Sequence, residues 1–167
     1  YVVIPCYNEE EVLKETSKRL NVKLGELIKD KIISKDSKVL FVNDGSKDKT
    51  WDIICELNKE NKLFSGINLS RNRGHQNALV AGLMTAKEYA DVVISMDADL
   101  QDDINAIDEM IKDYYDGSEV VYGVRSSRAN DTFFKKFTAE AFYKFMKFMG
   151  ADVVFNHADY RLTSKRV

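Results

Sequence analysis

The stretch Val39-Leu40-Phe41-Val42-Asn43-Asp44-Gly45-Ser46-Lys47-Asp48-Lys49-Thr50 decides the fold. Its first four residues are apolar without alternation. That suits a strand covered on both faces, as in a parallel sheet. Asp44, Gly45 and Ser46 then supply turn chemistry, and helical periodicity runs from Lys49 to Glu60. Strand, polar turn and helix in that order make the repeating piece of a βαβ unit.

Working outward, the same order recurs. Strands are expected at Tyr1–Ile4, Val39–Val42, Phe64–Leu69, Val92–Met96 and Glu119–Val124. Helices are expected near Glu10–Lys29, Lys49–Glu60, His75–Glu88 and Ile104–Tyr115. The only proline, Pro5, is read as closing the first strand. Regular alternation implies a doubly wound α/β sheet. A last helix, about Thr132–Met149, sets Phe134, Phe137, Ala141, Phe145 and Phe148 on one face and Lys136, Lys144 and Lys147 on the other. It reads as a core-packing amphipathic helix or as one lying on a membrane surface.

Composition narrows the classes. The 167 residues suit a single domain, and 44% hydrophobic with 31% charged residues excludes a disordered chain. A net charge of −2 lacks the basic excess of a nucleic-acid binder. Cys6 and Cys55 are too few for a disulfide framework or a four-Cys zinc site, and a reducing compartment fits. No apolar run approaches the roughly 20 residues that span a bilayer. The opening residues do not read as a signal peptide, and both ends read as cut from a longer protein.

In open α/β sheets, ligands bind beyond the carboxyl ends of the strands. Five polar segments follow the five expected strands: Pro5–Glu10, Asn43–Asp48, Ser70–His75, Asp97–Asp102 and Arg125–Arg128. Asp97 and Asp99 flank one small residue. Carboxylates that close repel unless a cation or solvent relieves them. Oxygen-only ligands suit Mg²⁺ or Mn²⁺, which bridge carboxylates and substrate phosphates. The alternative is that Asp99, Asp102 and Asp103 cap the next helix. Asp44 offers an acceptor for a base N–H, or else a turn and cap. Tyr7 offers a planar face for a base, or simple packing. Arg71, Arg73, Arg125 and Arg128 offer phosphate contacts or surface charge.

Together these segments resemble glycosyltransferase family 2, with the GT-A fold. The matching stretches are residues 2–11, 39–50, 69–83, 94–103, 120–128 and 158–167, in order and over nearly the whole chain. The resemblance implies a Rossmann-like, mostly parallel sheet with helices on both faces. It implies one catalytic domain over 1–167, truncated at both ends: a nucleotide-binding half over 1–96, and a metal and acceptor half over 97–167. Asp97-Ala98-Asp99-Leu100-Gln101-Asp102 and Asp159-Tyr160-Arg161-Leu162 look most like the polyprenyl-phosphate sugar transferases. The implied reaction moves a sugar from UDP or GDP to a lipid phosphate with inversion. The resemblance places Pro5, Tyr7, Glu9, Val42, Asp44, Arg71 and Ala98 at the nucleotide. It places Asp97, Asp99 and Gln101 at Mg²⁺ or Mn²⁺, and Arg125 and Arg161 at phosphates.

The chain departs from the family pattern at Asn43, at Asp103-Ile104 and at Tyr160. A lipid phosphate is already anionic near neutral pH, so it needs cations more than a base. Asp159 is therefore read as orienting Arg161. Acting as a general base toward a sugar hydroxyl, it would serve the alternative acceptor, a glycan in cell-wall or surface polysaccharide synthesis; His157 is another candidate base. A sugar-nucleotidyltransferase would need a glycine-rich grip after the first strand, and Pro5–Glu10 has no glycine. The subgroup implies a parent protein anchored in the membrane beyond the C-terminal end, with this part at the cytoplasmic face.

Overall fold

The computed structural model describes residues 1–124 and 157–167. In chain order the elements are β1 (Val2–Cys6), α1 (Leu13–Lys29), β2 (Val39–Asn43), α2 (Thr50–Glu60), β3 (Phe64–Asn68) and α3 (His75–Lys87). They continue as β4 (Val92–Ser95), α4 (Ala106–Tyr115), β5 (Val120–Val124) and β6 (His157–Ser164). All five expected strands and four of the five expected helices are present. The helix expected at Thr132–Met149 lies outside the described residues, as do Arg125 and Arg128.

The sheet order is β3-β2-β1-β4-β6-β5. Pairs among β1 to β4 are parallel, whereas β6 is antiparallel to both neighbours. The sheet is thus mostly parallel, as expected, but the fifth strand does not adjoin the fourth. β6 lies between them, and its residues read as a sequence motif rather than as a strand. Its alternation explains the difference: Tyr160, Leu162 and Ser164 are buried, while Arg161 and Thr163 between them are half-buried.

Helices cover both faces. On one face Val2, Ile4 and Cys6 of β1 join Leu13 and Leu20 of α1, Ile54 of α2 and Ile107 of α4. On the other face Val3, Leu40 and Val42 pack with Ala78 and Leu79 of α3. Each large side chain buried this way contributes about 1.5–3 kcal/mol. α3 lies close to the sheet because residue 82 is glycine. A Cβ there would sit 2.5 Å from a Val3 methyl and 2.7 Å from a Val42 methyl.

Two helices start later than their periodicity implies, because acidic residues are diverted to loops. The Glu10 carboxylate accepts from Lys49 N at 2.9 Å, and Glu10 N donates to Asp48 Oδ2, so α1 begins at Leu13. Asp103 accepts from Asn105 N at 2.9 Å, and α4 begins at Ala106. Of the two cysteines, Cys6 is buried and Cys55 only half-buried; both are free thiols. Burial pushes the Cys6 thiol far up.

Candidate active site

A break in the ladder makes the site. Chain connections reverse direction between β1 and β4, the switch point at which open α/β sheets bind ligands. Val2 N donates to Lys38 O and Cys6 O accepts from Asp44 N, so even positions of β1 face β2. Val3 O accepts from Met96 N, so odd positions face β4. Pro5 is the next odd position and has no N–H. Pairing with β4 accordingly ends at Val3↔Ser95, while pairing with β2 runs on to Cys6↔Asn43. Pro5 therefore lies within β1 rather than after it, and it ends one ladder, not the strand.

Beyond this break lies a cavity of about 450 Å³, within the size range of small-ligand sites. The end of β1 contributes Pro5, Tyr7 and Glu9, and the end of β2 contributes Asp44. The third loop contributes Asn72 and His75, and the end of β4 contributes Asp97, Ala98 and Asp99. Tyr7 is 41% exposed, so its ring is accessible.

The loops are tied together by side chains. Asn8 N donates to Ser46 Oγ at 3.0 Å, and the Asn8 side-chain oxygen accepts from Lys47 N at 2.9 Å. Glu9 N donates to Thr50 Oγ1 at 2.8 Å. Asp44 is 2% exposed, and its carboxylate accepts from Arg73 N at 2.6 Å and Gly74 N at 2.9 Å. It holds the third loop rather than capping α2; Asp48 accepts from Thr50 N instead. Gly45 has φ +68°, and a Cβ there would lie 2.5 Å from Asn72 N. Only glycine permits that approach.

The fourth loop closes on itself. Asp97 N donates to Asp102 Oδ2 at 3.1 Å, and Gln101 N donates to Asp99 Oδ1 at 3.0 Å. Thr16 of α1 donates to Ala98 O at 2.8 Å, which fixes the residue between the two carboxylates. Asp103 serves the approach to α4, accepting from Asn105 N. The Tyr160 hydroxyl donates to Asp103 O at 3.0 Å, joining β6 to this loop.

The cavity is strongly acidic. The Glu9 carboxyl is pushed above its ordinary value by burial and by the charges of Asp99, Asp48 and Asp97. Such mutual repulsion is what a bound divalent cation relieves. No group of three or more His, Cys, Asp or Glu among the described residues could by itself hold a metal. Two carboxylates open to a substrate phosphate are nonetheless a common magnesium-type arrangement. The donor chemistry of Asp97 and Asp99 fits such an ion.

Several expected site residues stand elsewhere. Val42 is fully buried under α3 and does not line the cavity. Gln101 lies along a separate groove beside α1. Arg71 is exposed, with its backbone packed on Gly45. Arg161 pairs with Ser95 and with Tyr122 across β6. Residues 157–160 of β6, which include Asp159, run past Ser95, the last residue of β4 to pair. Sequence reasoning did not single out Asn72 or His75. The available signal was Gly74, whose φ of +87° marks the sharp entry to α3.

The model of the family described as "Glycosyl transferase family 2" matches residues 1–167. The chain is 53% identical over 165 residues to the uncharacterized glycosyltransferase YkoT of Bacillus subtilis (strain 168), covering 99% of this chain and 49% of YkoT. It is 37% identical over 167 residues to a prophage bactoprenol glucosyl transferase homolog of Escherichia coli (strain K12), covering 99% and 52%. The chain spans about half the length of the curated relatives it matches. Among solved structures it is similar to glucosyl-3-phosphoglycerate synthase from Mycobacterium tuberculosis in complex with Mn²⁺ and UDP-glucose. That likeness has a TM-score of 0.66 at 15% identity and covers 99% of this chain and 55% of the other. The fold is GT-A, as the motifs implied.

Proposed function

This chain belongs to glycosyl transferase family 2, and from that membership we propose that it binds the donor in an inverting transfer of a sugar from UDP or GDP to a polyprenyl phosphate. The observation that carries the reading is the acidic cavity at the β1/β4 switch point, where Asp97 and Asp99 face Glu9 and the ring of Tyr7. The relative named as a bactoprenol glucosyl transferase homolog supports the lipid-phosphate acceptor and a membrane-associated parent; as part of the same proposal, this part is placed at the cytoplasmic face. No helix among the described residues is long and apolar enough to cross a membrane.

Tyr7 lies along the base, and Asp44, while holding the Arg73–Gly74 backbone, offers its remaining lone pairs to a base N–H. Pro5, Glu9 and Ala98 shape the nucleotide pocket. Asp97 and Asp99 would hold Mg²⁺ or Mn²⁺, which when bound supplies positive charge to the departing diphosphate. The acceptor enters from the side of β6. There Arg161 positions the lipid phosphate and Asp159 orients Arg161, and Arg125 is assigned to the same phosphate from the sequence motif alone. The acceptor oxygen attacks the anomeric carbon as the bond to the nucleoside diphosphate breaks on the opposite side. An acceptor that is already anionic leaves no proton for a base to remove.

Calorimetric titration with UDP, GDP, UDP-glucose, UDP-N-acetylglucosamine and GDP-mannose, each with Mn²⁺ and with chelator, tests donor binding. Metal-dependent binding of one nucleotide is expected. Transfer by the full-length protein to polyprenyl phosphate, but not to an oligosaccharide, tests the acceptor; the converse result overturns the lipid-phosphate reading.

A further inference from the structure

We infer that His75 is a substrate-contacting residue that donates a hydrogen bond to the donor's diphosphate; this rests on the donor-binding reading above. The cavity is lined by the carboxylates of Glu9, Asp44, Asp97 and Asp99, and a nucleoside diphosphate brings further negative charge. Among the described side chains lining it, His75 supplies the one imidazole, whose ring N–H is a donor to phosphate oxygen. It is the first residue of α3, and its Nε2 lies 3.7 Å from Asp97 Oδ1. The side chain is 43% exposed.

The surroundings fix where the ring sits. Arg73 N and Gly74 N, which lead into α3, are directed at Asp44, so the backbone just before the helix serves that carboxylate. Gly74, at φ +87°, turns the chain so that residue 75 emerges beside Asp97. A diphosphate held at Asp97 and Asp99 through a shared cation therefore lies within reach of the imidazole. Nitrogen donors to phosphate oxygens are charge-assisted and short. In this arrangement His75 recognises the diphosphate, and neither the base nor the sugar.

The test compares wild type, His75→Ala and His75→Gln in the full-length protein. Calorimetry with Mn²⁺ measures affinity for UDP and GDP, and for UMP and GMP. Mn²⁺ affinity without nucleotide is measured separately by electron paramagnetic resonance. His75→Ala is expected to weaken diphosphate binding by roughly tenfold to a hundredfold, the effect of a hydrogen bond to a charged group. Monophosphate affinity and Mn²⁺ affinity should change little, and His75→Gln, which keeps an N–H donor, should recover most of the loss. Equal loss for mono- and diphosphates, or loss of Mn²⁺ affinity, would mean that His75 acts by orienting Asp97, and would overturn the inference. Unchanged diphosphate affinity in His75→Ala would also overturn it, leaving the donor site intact. If wild type binds neither UDP nor GDP, the functional reading itself falls and this inference with it.

Discussion

Replacing Asp44 by Asn should loosen the third loop and weaken nucleotide binding together. The carboxylate is 2% exposed and accepts from Arg73 N and Gly74 N. Hydrogen bonds to a charged group contribute about 1.5–3 kcal/mol each, and neutral ones about 0.5–1.5. An asparagine keeps one acceptor oxygen and turns an NH₂ toward the second N–H. One charged bond becomes neutral and the other is lost, with Gly74 N keeping Asn72 Oδ1 at 3.0 Å as a second acceptor. The Arg73 and Gly74 amides lie in an exposed segment, so water replaces part of the loss. The expected net destabilisation is about 2–3 kcal/mol. For a domain of this size that is a fall in Tm of roughly 4–12 °C. Urea unfolding followed through Trp51, the one tryptophan in these residues, reads the change. Asp44→Ala should destabilise at least as much. If both variants unfold within about 0.5 kcal/mol of wild type, the ordinary range for surface substitutions, the tie is not made by this carboxylate. Packing of Gly45 on Arg71 and Asn72 would then be what fixes the loop.

Other substitutions probe the remaining parts of the site. Asp97→Ala or Asp99→Ala should abolish metal-dependent donor binding by calorimetry; undiminished metal-dependent binding in both would sink the metal assignment. Glu9 has its folded pKa raised above the unfolded value, so the native state binds the extra proton. Its stability contribution is present below the unfolded pKa and is lost as pH rises through the folded one. Glu9→Gln should therefore raise Tm at pH 7 without metal and leave it near wild type at pH 4, and a lower Tm at pH 7 would contradict the repulsion argument. Tyr160→Phe removes the bond to Asp103 O and should lower stability by about 0.5–1.5 kcal/mol in denaturant titration; no change would show that the Ala106 N–H, which Asp103 O also accepts, suffices there. Gly82→Val should be far more damaging, since even a Cβ meets Val3 and Val42 within 2.7 Å; a normally folded variant by circular dichroism would refute the close approach of α3.

How much of this was legible follows from the kind of signal each part carries. β2 and β4 were readable because strands buried on both faces are continuously apolar, and Val39–Val42 and Val92–Ile94 are nearly so. β6 was not, because its pattern alternates, and Tyr160, Arg161 and Leu162 read more strongly as a motif. The first four polar loops were placed at one edge correctly, since strand ends follow from topology; the fifth lies outside the described residues. Which of their side chains turn inward was not legible. Val42 precedes Asp44 by two residues and so shares its face of the sheet, but it lies one step deeper, in the core beneath α3. Ala98 lies between two aspartates, but Thr16, more than eighty residues away in sequence, holds its carbonyl. His75 reaches Asp97 only because β3 and β4 lie on opposite sides of β1 and α3 spans the gap between them.

Pro5 ties the fold to the chemistry. A central parallel strand normally pairs along both edges, and proline is normally kept out of such strands. Here the missing N–H faces β4, at the step where the β1–β4 ladder ends, so no bond is forfeited toward β2. The two strands are thereby released from each other at their carboxyl ends. Released strand ends give their loops room to separate, and Glu9 on one side and Asp97 and Asp99 on the other line the space between. Burial and then the nearby carboxylates raise the Glu9 pKa, and a cation-carrying ligand relieves the repulsion part of it. Restoring an N–H at position 5, as in Pro5→Ala, should therefore extend the ladder toward Met96 and narrow the cavity. Hydrogen exchange would then show a newly protected amide at residue 5, and affinity for nucleoside diphosphate would fall while stability held or rose. Unaltered affinity alongside a protected amide would separate the cavity from the ladder break, and would show that loop ties such as Asn8–Ser46 alone hold the site open.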